Sequence, residues 1–359
     1  MSPRDRRPPL VSFSSTELES FTSTTSPYDP KSPSDDSDAL KKRWYHYLPL
    51  CCTVFFILAP HPSWLYVLVD FHLQTLNRPV LFITHLSVSY LLTFLAFSSL
   101  IVLVARDPGP VSVPPSRYET TPNDDGEEMG LMDALNDDDD FSAPGKWCRK
   151  CWLTILVDHH CPWLGAKCIG HRTYPAFVHF LTCISLLSLY IAVVSGNALW
   201  YAFHNPLSIH EYTPIHELAL TFMGAAFFII IGSFAAYHIY LTFTNQTTIE
   251  NITPFILLRH LPPLPATGHT LSDPPLEPEL SGPQRRLVKD AHQQIYLYDI
   301  GWRNNFSQVF GWNRPYGWVY RLWYGGASKG DGKTFPRNPR SQELLARLAT
   351  ELVKLDANR

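Results

Sequence analysis

Four of the chain's seven cysteines fall in the stretch KWCRKCWLTILVDHHCPWLGAKCIGHRT, residues 146–173. Thiolates and imidazoles at this density serve either as metal ligands or as nucleophile and base. Cys148 and Cys151 form a CxxC pair, with His160 and Cys168 close behind. Three thiolates and one imidazole are a tetrahedral donor set for a structural zinc ion, the expected use of such residues in a reducing compartment. The run Asp158-His159-His160-Cys161 supports a second chemistry. A carboxylate can orient an imidazole, and the imidazole can take the proton of a nearby thiol and release a nucleophile suited to acyl transfer. The residues alone leave both readings open, because Asp158, His159 and Cys161 could equally surround a metal site.

The elements that must carry this stretch show in the distribution of charge. Asp, Glu, Lys and Arg are absent from 47–69, 80–105, 174–203 and 218–249, each longer than the roughly 20 residues a helix needs to cross a bilayer. Long parts of these runs are apolar on every face, which a half-exposed soluble helix would not tolerate. The expected fold is therefore a mainly α membrane protein, with four transmembrane helices and a small zinc-binding, cysteine-rich domain between the second and third. Pro60, His61 and Pro62 predict a kink in the first span. Lys41, Lys42 and Arg43 precede that span and Arg106 ends the second, whereas 70–79 holds only Arg78 and 204–217 holds no Lys or Arg. The positive-inside rule then places both termini and the segment after residue 106 in the cytosol.

The remaining segments differ in kind. Residues 1–43 are a Ser-, Thr-, Pro- and Asp-rich tail expected to be disordered. Residues 44–106 carry the first two spans, 107–145 an acidic linker, 146–173 the cysteine-rich domain, 174–250 the last two spans and 251–359 a cytosolic C-terminal region. Within the last, 261–284 reads as a Pro-rich linker. Leu344, Leu345, Leu348, Leu352, Val353 and Leu355 line one side of a helix suited to a membrane surface or a protein core. The 29 Lys and Arg against 32 Asp and Glu exclude a general nucleic-acid binder, which needs a basic excess. Seven cysteines in 359 residues exclude a disulfide-dense secreted scaffold. An ion path is poorly supported where no charge lies within the predicted spans.

The tetrapeptide Asp158-His159-His160-Cys161, followed by Pro162-Trp163 and set between the second and third of four spans, resembles the DHHC family of protein S-acyltransferases. Three further marks of that family stand in order: Asp107-Pro108-Gly109 after the second span, Thr247-Thr248-Ile249-Glu250 at the end of the fourth, and Asn305 to Gly311 in an NxxxVFG pattern. The resemblance covers roughly residues 44–311. It implies that Cys161 takes a long-chain acyl group from an acyl-CoA such as palmitoyl-CoA, and passes it to cytosolic, juxtamembrane cysteines of substrate proteins. By the same resemblance His159 is the base, Asp158 orients it, and Cys148, Cys151, His160 and Cys168 are ligands of structural zinc. Thr248 would contact the Asp158 region, and Asn305 would tie the C-terminal segment to the core. Lys146, Arg149, Lys150, Lys167 and Arg172 could meet the CoA phosphates. The implied setting is an endomembrane or the plasma membrane.

The chain also departs from the family. Only residues 152–157 separate Cys151 from Asp158, where the family carries a longer block with half of the ligands for two zinc ions. Cys168 follows Cys161 by seven residues rather than six. An omitted segment, a single hybrid Cys₃His site or an inactive isoform would each account for this. The functional alternative is a non-catalytic membrane adaptor of the same fold.

Overall fold

The computed structural model describes residues 44–109, 157–165, 167–206, 212–265, 270–312, 316–330, 332 and 335–357. The N-terminal tail, the acidic linker after Gly109 and the first part of the cysteine-rich stretch, with Cys148 and Cys151, lie outside them.

Among the described residues, four helical spans are long and apolar enough to cross a membrane. The first is composite: α1 (Leu48–Leu58) breaks at Ala59-Pro60, α2 (His61–Val67) follows, and a π-wound stretch runs on from Leu68 to Thr75. The break falls where the sequence predicts a kink, since a proline ring cannot continue the preceding helical ladder. The others are α3 (Pro79–Ala105), α4 (Tyr174–His204) and α5 (Thr213–Thr244). Each has a proline in its first turn, where the missing N–H would have had no helical partner anyway. Asn245, at φ +50°, ends α5 in the left-handed conformation that Asn tolerates.

Two of these spans differ from their charge-free stretches. The first continues past residue 69 to include Asp70, and α5 begins early enough to include Glu217. Both acids are buried, and Asp70 accepts a 2.7 Å bond from the Thr213 hydroxyl. The expectation of spans free of ionisable groups is thus corrected: a charge can sit near a helix end when packing covers it, and a count of charges does not see packing.

Leu95, Ala96, Leu100 and Leu103 of α3 pack on Phe177, Phe180 and Leu181 of α4, and Ile57, Cys161 and Ile169 join the same core. Toward the other end of the bundle, Trp64, Val67, Leu68 and Phe71 meet Leu187, Ile191, Val194 and Leu220. α4 and α5 approach closely at Gly224, where a Cβ would stand 2.8 Å from the Ser188 carbonyl oxygen. Small residues permit such contacts between membrane helices. Large side chains such as Phe55, Leu91, Phe94, Ile101, Phe222 and Ile229 face outward, as they should where the solvent is hydrocarbon.

Between α3 and α4 the described chain forms one antiparallel hairpin, β1 (Val157–Cys161) and β2 (Lys167–Gly170). After α5 come a single turn, α6 (Thr248–Ile252), then α7 (Gly282–His292), α8 (Trp302–Phe310), α9 (Gly317–Tyr324) and α10 (Pro339–Ala357). Thr247 to Glu250 therefore do not extend the fourth span but start a helix of their own. The leucine stripe of α10 packs into a core with Leu257, Leu258 and Val288, so it serves a protein core. The stretch expected to be a linker contributes Leu264, Leu271 and Leu280 to that core.

Candidate active site

The hairpin sorts the residues of Asp158 to Cys161 by face. Side chains alternate along a strand, so His159 and Cys161 share one side and His160 takes the other. The register pairs His160 with Cys168 across the ladder, and a bulge falls between Val157 and His159. Bulges re-aim side chains; here the bulge lets Asp158 turn back and accept a 2.7 Å bond from His159 Nδ1. The turn from β1 to β2 is a short 3₁₀ segment, Pro162–Leu164, closed by Gly165 at φ +72°.

Asp158 is held from a second direction. Its Oδ1 accepts from the Thr248 backbone N–H at 2.7 Å, and its Oδ2 from the Thr248 hydroxyl at 2.8 Å. Thr247 caps α6, its Oγ1 accepting from Glu250 N while Glu250 Oε2 accepts from Thr247 N. With that capping box occupied by Thr247 and Glu250, Thr248 is left to grip the aspartate. Burial would raise the Asp158 pKa, but the bond and charge of His159 and both Thr248 bonds outweigh it and hold the carboxyl below its usual value. For His159, burial lowers the pKa, while Asp158 and a bond to the Cys161 side chain push it up to about 9. Asp158, His159 and Cys161 are thus a connected carboxylate, imidazole and thiol.

Aromatic groups wall in the imidazole. Phe177 stands 5.1 Å and Phe234 6.5 Å from the His159 ring centroid, and His238 5.7 Å. His238 is completely buried, and Tyr174 OH lies 3.2 Å from its Nδ1. One of its ring nitrogens, a carboxylate oxygen of Asp158 and a ring nitrogen of His159 all lie within 4.8 Å of one another. In the sequence His238 reads only as a helix-packing group, and nothing in an apolar run shows that it faces residues 80 positions away. His85 and His179 do join helices, to Tyr190 OH and Ser99 Oγ, each at 2.6 Å.

Cys161 lies on the wall of an apolar cavity of about 650 Å³ between α1, α2, α4 and α5. Its lining runs from Phe177 and Leu181 beside the thiol to Ile191 and Leu220 at the far end. Along α4 that is roughly 21 Å of helix.

The other motif residues support this centre. A Cβ at Gly170 would stand 2.6 Å from the Pro108 carbonyl oxygen, which also accepts from Arg172 N at 2.9 Å, so Asp107-Pro108-Gly109 seats the end of β2 against α3. Asp107 and Arg172 form only an exposed 3.8 Å pair. Asn305 is buried, and its side-chain NH₂ donates to the carbonyl of Phe243 and to Asp299 Oδ1, while its oxygen accepts from Ile300 N. Lys167 Nζ donates to the Val104 carbonyl. Lys146, Arg149 and Lys150 lie outside the described residues.

Two of the four expected metal ligands are described. Cys168 Sγ and His160 Nδ1 stand 3.8 Å apart, close to the roughly 3.6 Å expected of two ligands on one tetrahedral zinc. They fit one edge of such a site; its other edge would come from Cys148 and Cys151.

Residues 143–254 match the family model described as DHHC palmitoyltransferase. The chain is similar to palmitoyltransferase PFA3 of Debaryomyces hansenii, 38% identical over 29% of this chain and 25% of that protein. It is likewise similar to probable protein S-acyltransferase 1 of Arabidopsis thaliana, 33% identical over 45% of this chain and 55% of that one. With palmitoyltransferase ZDHHC15 of Rattus norvegicus the identity is 28%, over 57% and 50% of the two chains. The chain spans between a quarter and about half the length of these relatives.

Proposed function

We propose, from the DHHC palmitoyltransferase domain at residues 143–254, that the chain is a protein S-acyltransferase acting through Cys161. The single observation that carries this reading is the line from Asp158 through His159 to Cys161, ending at the apolar cavity.

His159 holds the Cys161 proton, and the thiolate attacks the thioester carbonyl of an acyl-CoA. The bond from that carbonyl to CoA sulfur breaks, the proton on His159 passes to the departing CoA thiolate, and Cys161 carries the acyl group as a thioester. A substrate-protein cysteine then gives its proton to His159 and attacks the same carbonyl; the bond from that carbonyl to Cys161 sulfur breaks, and the proton on His159 passes to the departing thiolate, which restores the Cys161 thiol. Asp158 fixes the imidazole and stabilises its charged form in both halves. One lipid chain spans half of a roughly 30 Å hydrocarbon core, so the cavity wall along α4 is long enough to receive a palmitoyl-like chain. Burying each CH₂ there contributes about 0.8 kcal/mol, which retains the acyl group while CoA remains in water.

Cys148, Cys151, His160 and Cys168 would hold zinc on the hairpin face opposite the thiol. Bound there, the ion would supply structural rigidity to the strand that aims Cys161. The positive-inside distribution of Lys and Arg supports a cytosolic location for both termini and the hairpin, at an endomembrane or the plasma membrane.

The test is autoacylation of the purified chain by alkyne-tagged palmitoyl-CoA, beside Cys161→Ser, with zinc measured on the same sample. Hydroxylamine-sensitive label lost in Cys161→Ser, with about one zinc per chain, is the expected result. Absence of both label and zinc would support the adaptor reading instead.

A further inference from the structure

The two acids inside the helical spans, Asp70 and Glu217, lie at the end of the bundle remote from Cys161. Roughly 40 Å of α5 separate Glu217 from the end of that helix that leads to Thr248. Asp70 is 6% exposed and Glu217 is completely buried. Among the described residues neither is in an ion pair, and both carboxylate oxygens of Glu217 lack a hydrogen-bond partner.

Oxygen atoms converge here from two elements. Thr213 Oγ1 donates to Asp70 Oδ2 at 2.7 Å and stands 3.5 Å from Tyr66 OH. Thr213 and Glu217 are one turn apart on α5, so their side chains share a face, and the charge of Asp70 acts on Glu217. Tyr66 is braced by His216, with ring centroids 4.9 Å apart, and His216 Nδ1 in turn stands 3.2 Å from Ser63 Oγ. Asp70 belongs to the π-wound stretch Leu68–Thr75, a winding that recurs at functional sites.

Two like charges buried near one another repel and lose their hydration. They persist only when paired, bound to a metal or neutralised by a proton. A proton answers poorly for Glu217. A protonated carboxyl is itself a donor, a buried donor needs an acceptor, and none lies within bonding distance of either oxygen. A cation satisfies both carboxylates at once. Two carboxylates with the hydroxyls of Thr213 and Tyr66 are a hard, all-oxygen donor set, the ligand type of calcium.

We infer that Asp70, Glu217, Thr213 and Tyr66 bind a calcium ion that clamps the first span to the start of α5. The clamp braces the frame of the apolar cavity, whose far end is lined by Ser63 and Leu220, three residues from Tyr66 and from Glu217. It depends neither on acyl transfer nor on zinc.

The full chain, purified in detergent and calcium-free buffer, tests it by melting temperature and by retention of calcium-45. Calcium chloride at about 1 mM should raise the wild-type melting temperature by several degrees, with about one ion retained per chain beyond what Glu217→Gln retains. The melting temperature of Glu217→Gln should not respond. That variant keeps the side chain's shape and breaks no hydrogen bond, so it should fold. Thr213→Val, which removes one of the oxygens, should need severalfold more calcium for the same response. An equal response in wild type and Glu217→Gln would place calcium elsewhere, the acidic 119–140 segment included, and would overturn the clamp. No calcium retained by the wild type overturns it whatever the variants do, and leaves the carboxyls neutralised by protons.

Discussion

Three donors converge on the buried carboxylate of Asp158, and two of them come from Thr248. Removing its charge while keeping its shape separates positioning from packing. Asp158→Asn is expected to lower the rate of acyl-enzyme formation by at least about 100-fold, the scale of a misdirected general base. Thr248→Val keeps the backbone donor and loses only the hydroxyl. A hydrogen bond to a charged group contributes about 1.5–3 kcal/mol, so the same rate should fall roughly 10- to 100-fold, and Thr248→Ser should restore most of it. The pair also fixes a pH window for stability. The folded Asp158 pKa lies below its ordinary 3.8, so its contribution is present above that value and lost as pH falls through the folded one. The folded His159 pKa is raised from 6.5 to about 9, so its contribution is complete below 6.5 and lost as pH rises through about 9. Melting temperature against pH should show that plateau in the wild type and a flatter profile in Asp158→Asn. An unchanged profile would mean the pair does not stabilise the fold.

At the scale of elements, a five-residue helix does the aiming. A turn this short does not persist by propensity; α6 stands because Thr247 and Glu250 cap one another. Thr247→Ala should cost about 1 kcal/mol of stability and reduce acyl-enzyme formation as well, since Thr248 would no longer be presented to Asp158. A melting point that falls while the acylation rate stays unchanged would dismiss the link between cap and catalysis. The hairpin depends likewise on Gly170, whose lack of a side chain admits the Pro108 carbonyl. Gly170→Ala should destabilise by about 1–3 kcal/mol through overpacking, read as a lowered melting temperature in detergent.

At the scale of the molecule, the cavity belongs to no single element. Thr53, Phe56 and Ile57 of α1, Phe180 to Ile191 of α4 and Ala219 to Phe234 of α5 enclose it together. Filling its far end should change which substrate fits rather than the chemistry at Cys161. Ala219→Phe is expected to lower labelling by a sixteen-carbon acyl-CoA severalfold while a shorter acyl-CoA still labels Cys161. Equal loss for both chain lengths would show that the cavity does not receive the acyl group.

The sequence by itself determined the helical spans, because covering a bilayer demands long apolar stretches that can be read without knowing what packs against them. The strand face shared by His159 and Cys161 follows from backbone alternation only once the structure shows that residues 157–161 form a strand. The tertiary structure alone decided the rest. Asp70 and Glu217 enter helices because neighbouring side chains cover them. Pro-rich residues 261–284 join a core because Leu264, Leu271 and Leu280 find Val288 and Leu352. His238 comes to lie beside His159 only when α5 returns across the hairpin; the contact of Thr248 with Asp158 is implied by the family resemblance, not by any local pattern. Local patterns record what a residue's near neighbours require; contacts across 80 or 90 residues depend on how the whole chain closes, and no local pattern carries them.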